Sequence, residues 1–160
     1  MEVASRLAEL NETPSKSFWP KAVIWGIPVL FISGLAWLSY HGMMDEIIES
    51  GKIWLAINAS LTGLGVLLAR GHPLSILVGA LASPLTSLNP TVAAGWVAGY
   101  TQLKVDPPTG KDASDFLSMD KYSLLWRNRV GKVLLVTALG NLGSVAGTWI
   151  AAAGIVGIIL

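Results

Sequence analysis

The stretch Gly71–Leu103, GHPLSILVGALASPLTSLNPTVAAGWVAGYTQL, is apolar enough to enter a bilayer, yet it is interrupted where a spanning helix would be continuous. Pro73, Pro84 and Pro90 divide it into two pieces of about ten residues each. A helix does not pass Pro84 and Pro90 unperturbed, because each removes a backbone donor and pushes the preceding residue toward extended geometry. The joint, Ser83-Pro84-Leu85-Thr86-Ser87-Leu88-Asn89-Pro90, is polar between apolar flanks. Asn89 before Pro90 reads as the start of a new helix, with a side-chain acceptor at the cap and Pro in the first turn, and His72-Pro73 starts the first piece in the same way. The expectation is two half-helices joined by a non-helical turn at membrane depth. Such backbone is tolerated in a bilayer only where protein or a water-filled cavity surrounds it.

Composition points to the same class. The chain has 160 residues, 52% of them apolar and 13% charged, with 17 Gly, 7 Trp and a mean hydropathy of +0.59. That charged share is about half of what a soluble domain carries, so the reading is an all-α integral membrane protein. A net charge of +1 gives no sign of a nucleic-acid partner, and the absence of Cys removes disulfides and thiolate chemistry. Charges from Glu2 to Lys16 precede the first apolar run, which is too long for the core of a cleavable signal.

In chain order, residues 1–18 read as an amphipathic and linker segment, with Val3, Leu7 and Leu10 at helical spacing and a stop at Thr13-Pro14-Ser15. Residues 19–160 read as a single membrane domain. A first span covers Trp19–Tyr40, with Trp19 and Trp37/Tyr40 placed for the two interfaces and Pro28 as a kink. His41–Lys52 reads as an acidic connecting loop, and Ile53–Ala69 as the second span. Asn58, Thr62, Gly65 and Ala69 make a small and polar stripe on that span, which should face protein. Gly95 and Gly99 permit close approach of another helix, most simply one in the same chain. Lys104–Arg129 reads as an interfacial loop with short amphipathic helices, capped by Asp112, Ser114 or Asp120. The last span, about residues 130–155, lies in an apolar run of 31 residues, roughly 46 Å of helix. Gly140, Gly143, Ser144, Gly147, Ala151 and Gly154 give it a small seam, and Gly140-Asn141 reads as a bend. The sum is about three full spans, a broken pair of half-helices and interfacial helices.

Two topologies fit. If the central stretch re-enters on one side with the N-terminus inside, ten of the eleven Lys and Arg residues lie inside and only Lys52 outside. If it crosses and the N-terminus lies outside, seven lie inside and four outside. The positive-inside rule favours re-entry.

Ala82–Gly99, ASPLTSLNPTVAAGWVAG, with Trp126-Arg127-Asn128-Arg129-Val130, Gly140-Asn141-Leu142-Gly143-Ser144 and Gly147-Thr148, resembles the C-terminal membrane region of the TraB/PrgY (pheromone-shutdown) family of bacteria and archaea. The resemblance covers about Trp19–Ile150 and implies a prokaryotic cell-membrane location. The family typically places before this region a soluble domain, related to TIKI and GumN proteins, whose Gly-x-x-His and glutamate motifs are linked to metal-dependent peptide hydrolysis. Here Leu38 and Ala69 stand three residues before His41 and His72, so that motif is missing and the activity does not carry over. Met1–Asn11 reads as the end of such a domain, or the start of a stand-alone membrane module. The family's link to secreted peptides would suit an N-terminus outside, against the charge count.

Ser83, Thr86, Ser87, Asn89 and Thr91 at the break, joined by Asn58 and Asn141, are the candidate polar site: either they line a solute or ion path, or they satisfy the broken backbone. His72, Arg127 and Arg129 are the candidate interfacial residues. No nucleophile–base pair, intramembrane carboxylate or metal motif is present, so no catalytic residue, metal or cofactor is assigned. The expected role is a membrane anchor and scaffold for a TraB-type soluble domain in cis or in trans. The alternative is a permeation module, assembled as a homo-oligomer because three spans enclose little volume.

Overall fold

Among the described residues the first reversal is at Gly42, whose φ of 76° lies in the left-handed region open to glycine without strain. It joins α1 (Phe18–Tyr40) to α2 (Met44–Leu68). The remaining elements are α3 (Pro73–Thr86), α4 (Ala94–Val105), α5 (Gly110–Leu117), a 3₁₀ turn at Tyr122–Trp126 and α6 (Arg129–Ile159). The computed structural model describes residues 18–87, 92–118 and 122–159, and among these there is no strand. The helix expected over Met1–Asn11, with its stop at Thr13–Ser15, lies outside the described residues.

Several boundaries differ from the sequence expectation. The loop expected over His41–Lys52 shrinks to three residues, because α2 begins at Met44. Asp45 and Glu46 sit in its first turn, where carboxylates favour the positive end of the helix dipole. α3 does not stop at Pro84 but runs through it to Thr86. Pro84 stands in the last turn, where little helix remains to be broken. The second half-helix does not start at Asn89-Pro90: it begins at Ala94, with Ala93 as a cap that offers no side-chain bond. α6 continues as one helix through Gly140-Asn141. By contrast, His72-Pro73 behaves as expected, with His72 Nδ1 accepting from Leu74 N–H and Pro73 in the first turn. In the polar segment the cap is Thr109, and Asp112 is its reciprocal partner rather than the cap.

Close contacts fix the packing. A Cβ on Gly65 would collide with the Leu139 carbonyl, one on Gly143 with the Leu61 carbonyl, and one on Gly147 would lie 3.0 Å from Asn58 Cα. As α2 numbers fall, α6 numbers rise, so the two long helices run antiparallel along the seam of small residues. α4 packs against α6 in the same way, with Gly95 and Gly99 both against Thr137. α3 and α4 are antiparallel to each other: Gly79 lies under Ala98, and Gln102 reaches His72 and Ser75. They form a helical hairpin whose two outer ends lie together beside the end of α2. The end of α3 lies level with Asn58 of α2 and Ser144 of α6.

Side-chain sizes are distributed unusually. The buried apolar cluster is Val66, Ala69, Ala98 and Val136, with Ile76, Leu135 and Leu139 packed against it. Large apolar residues such as Leu55, Leu67, Leu81, Leu85, Leu142 and Trp149 are instead exposed. Asn58, Thr62, Gly65 and Ala69 are all buried, as the stripe on α2 predicts. Met44–Leu68 and Arg129–Val156 are long and apolar enough to cross a bilayer. α1 joins less intimately: between it and α2 lies an apolar groove of about 440 Å³, lined by Leu30, Leu35, Leu38, Ile47 and Trp54. The buried Ser50 hydroxyl, which also lines it, has no hydrogen-bond partner.

Candidate functional site

Each end of a short helix leaves backbone groups unpaired, and the α3–α4 hairpin has four such ends. At the start of α3, the His72 N–H donates to Gln102 Oε1 at 2.7 Å, and the same oxygen accepts from Ser75 Oγ at 3.1 Å. At the end of α3, the Trp54 indole N–H reaches from α2 to the Pro84 carbonyl at 3.2 Å, while the Ser87 N–H and hydroxyl both close on the Ser83 carbonyl. Ala93 offers no side-chain cap to α4, so Asn141 supplies one from α6, its Oδ1 accepting from the Gly95 N–H at 2.7 Å. The end of α4 closes through the Asp106 N–H to the Gln102 carbonyl.

Behind the tip of the hairpin lies a chain of side-chain hydrogen bonds drawn from three helices. Thr62 Oγ1 donates to Ser83 Oγ at 2.5 Å, and Ser83 donates to Ser144 Oγ at 3.1 Å. Ser144 lies 3.1 Å from Ser87 Oγ, and Ser87 lies 3.0 Å from Asn58 Oδ1, which Thr148 Oγ1 also approaches at 3.3 Å. Asn58 Nδ2 donates to the Trp54 carbonyl. Asn58, Thr62 and Ser83 have no solvent exposure. Among the described residues, each hydroxyl of the chain can place its proton on another member of it.

Of the candidate residues, the structure brings Ser83, Ser87 and Asn58 together. Thr86 turns back to its own helix, bonding the Ala82 carbonyl. Asn141 works apart, capping α4 instead of joining Asn58. Asn89 and Thr91 lie outside the described residues. His72 is at the far end of α3 from Ser83, about 16 Å away along eleven helical residues. Arg127 is exposed, whereas Arg129 pairs with Asp106 at 3.1 Å, and Lys132 meets the same carboxylate at 3.2 Å. Sequence reasoning gave no site role to Trp54 or Gln102, named Thr148 only within the family motif, and gave Thr62 and Ser144 no part in the candidate polar site. The signal was a four-residue step repeated on three helices: Asn58 and Thr62, Ser83 and Ser87, Ser144 and Thr148.

Chemically the cluster is neutral. None of its side chains titrates near physiological pH, and no base stands beside a serine to make it a nucleophile. Among the described residues no group of three His, Cys, Asp or Glu could hold a metal ion. Beside the network, Thr86, Ser87, Asn141, Ser144, Thr148 and Trp149 contribute to a cavity of about 300 Å³.

Residues 19–160 match the C-terminal domain of TraB family proteins. An uncharacterized protein of Methanocaldococcus jannaschii is 32% identical over 133 residues, which cover 81% of this chain and 34% of the relative. The chain thus spans about a third of the length of the curated relative it matches. No solved structure matches it.

Proposed function

The chain belongs to the TraB family, as its C-terminal domain, and from that premise we propose that it is the membrane-anchoring and scaffolding part of such a protein. The observation that carries this reading is the mutual hydrogen bonding of the described hydroxyls and Asn58 at the end of α3. Ser83, Thr86 and Ser87 bond other helices or the backbone at the end of α3, so they act as a joint between helices. The exposed large apolar residues around a core of small and hydroxylated ones suit lipid as the surrounding solvent. In this reading residues 19–160 form one membrane unit, α1 is a third span, and α3 and α4 are a re-entrant hairpin in a prokaryotic cell membrane. The partner is a TraB-type soluble domain, in cis or in trans.

Charge supports an orientation. The end holding the α2–α3 and α4–α6 connections carries Arg70, Lys104, Lys111, Arg127, Arg129 and Lys132 against Asp106, Asp112 and Asp115. The opposite end carries Lys52 against Asp45, Glu46 and Glu49. The basic end belongs in the cytoplasm.

A second reading, permeation of a small uncharged solute, draws on the cavity beside Ser87 and Asn141. One pair of measurements separates them. Under the scaffold reading, the full chain stays with membranes through alkaline carbonate extraction, and liposomes containing it leak glycerol no faster than empty ones. Release by carbonate would overturn the anchor. Glycerol flux abolished by Thr86→Val with Ser87→Ala in a folded protein would replace the scaffold with the permeation module.

A further inference from the structure

α2 ends in a paired closure that usually requires glycine. The Arg70 N–H bonds the Leu67 carbonyl at 2.8 Å and the Gly71 N–H bonds the Val66 carbonyl at 3.0 Å, with the residue between them in the left-handed region. That residue is Arg70, at φ 57°, the one non-glycine with positive φ among the described residues. An arginine there is strained relative to glycine, because its Cβ crowds the carbonyl oxygen that follows. It is exposed, and no carboxylate among the described residues pairs with it.

Two further cations gather at this end. The Trp126 indole N–H donates to the Leu68 carbonyl at 2.9 Å, tying the residue before Arg127 to the carbonyl two residues before Arg70. Gln102 binds His72 N–H, bringing the end of α4, and with it Lys104, beside the start of α3. Arg127 and Lys104 are exposed, the latter with its ammonium 5.5 Å from the Tyr100 ring. Asp106, the nearest acid in the chain to Lys104, is already shared by Arg129 and Lys132.

We infer that Arg70, Arg127 and Lys104 form a docking surface for the phosphates of anionic lipid headgroups at the cytoplasmic face. The inference rests on the membrane reading above. Charge complementarity selects the partner: the cations stand where the long apolar helices end, the depth at which headgroup phosphates lie, and aromatic side chains accompany them as at membrane interfaces. The left-handed position holds an exposed cation where a glycine would leave none.

The test uses the full chain in nanodiscs of phosphatidylcholine, with phosphatidylglycerol titrated in and binding read by native mass spectrometry. Arg70→Gly keeps the left-handed turn and removes the charge; Arg127→Gln and Lys104→Gln remove the other two. Each single change should weaken phosphatidylglycerol binding about fivefold, the equivalent of ~1 kcal/mol per basic residue. Arg70→Gly should at the same time raise the melting temperature in pure phosphatidylcholine. Undiminished phosphatidylglycerol binding by the triple variant would overturn the inference, and so would equal competition by inorganic phosphate at matched concentration, which would mark a soluble-anion site. A chain that never enters nanodiscs would instead defeat the membrane reading itself.

Discussion

Gly65 and Gly143 sit where α2 and α6 approach most closely. Each accepts a carbonyl of the facing helix where a methyl group would sit, so the α2–α6 seam closes backbone to backbone. Gly65→Ala and Gly143→Ala should each destabilise the chain by about 1–3 kcal/mol, the usual cost of forcing atoms into a filled interior. Gly34→Ala and Gly51→Ala, where an added Cβ meets nothing within 4 Å, should be neutral or stabilising through helix propensity. Reversible unfolding in mixed micelles measures both sets, and equal losses in both would refute the seam. The seam on α6 was legible from the spacing of its glycines. The particular carbonyl over each glycine was not, because that depends on the register between helices 70 and more residues apart in the chain.

At the scale of elements, helix ends divide into those closed locally and those closed at a distance. α5 is local: Thr109 Oγ1 accepts from the Asp112 N–H at 3.2 Å, and Asp112 Oδ2 accepts from the Thr109 N–H at 2.7 Å and its hydroxyl at 2.6 Å. The Thr109 hydroxyl bond, followed by the backbone bond, holds the Asp112 carboxyl below its ordinary pKa. A carboxylate with a depressed folded-state pKa stabilises the fold above its unfolded pKa, near 3.9, and loses that contribution as pH falls through the lower folded value. Amide protection in the first turn of α5 should therefore hold at pH 5–7 and drop in acid below about pH 4, and Asp112→Asn should remove that acid sensitivity. Hydrogen exchange followed by mass spectrometry reads it; an acid profile unchanged by Asp112→Asn would exclude the capping carboxylate. The ends of α3 and α4 are closed from afar, by Trp54, Gln102 and Asn141. This is why sequence reasoning located the start of α3, whose cap His72 is adjacent, and misplaced the start of α4.

For the whole molecule, the arrangement of the hairpin makes a topological prediction. The natural chain has no cysteine, so single cysteines report position without background. Cysteines replacing Lys104 and Ser114 should label with a membrane-impermeant reagent from the same side as one replacing His72, and one replacing His41 from the other side. Labelling of His72→Cys and Lys104→Cys from opposite sides would mean that the central stretch crosses the bilayer. The antiparallel packing of α3 on α4 argues for a common side, since a crossing segment would carry its two ends apart.

What the amino-acid order determined alone is whatever depends on near neighbours. That includes the helical class from long apolar runs, an interruption within the central stretch though not its bounds, the small and polar face of α2 from its period, and the His72 cap from adjacency. Tertiary structure alone decided that α3 runs through Pro84 and that α4 waits until Ala94. It also decided that Ser83, Ser87, Asn58 and Ser144 complete one another while Asn141 serves a different helix. The physical reason is that an unpaired N–H or carbonyl inside the fold must find a partner, and in this chain the partners stand on other helices, 30 to 46 residues away in sequence.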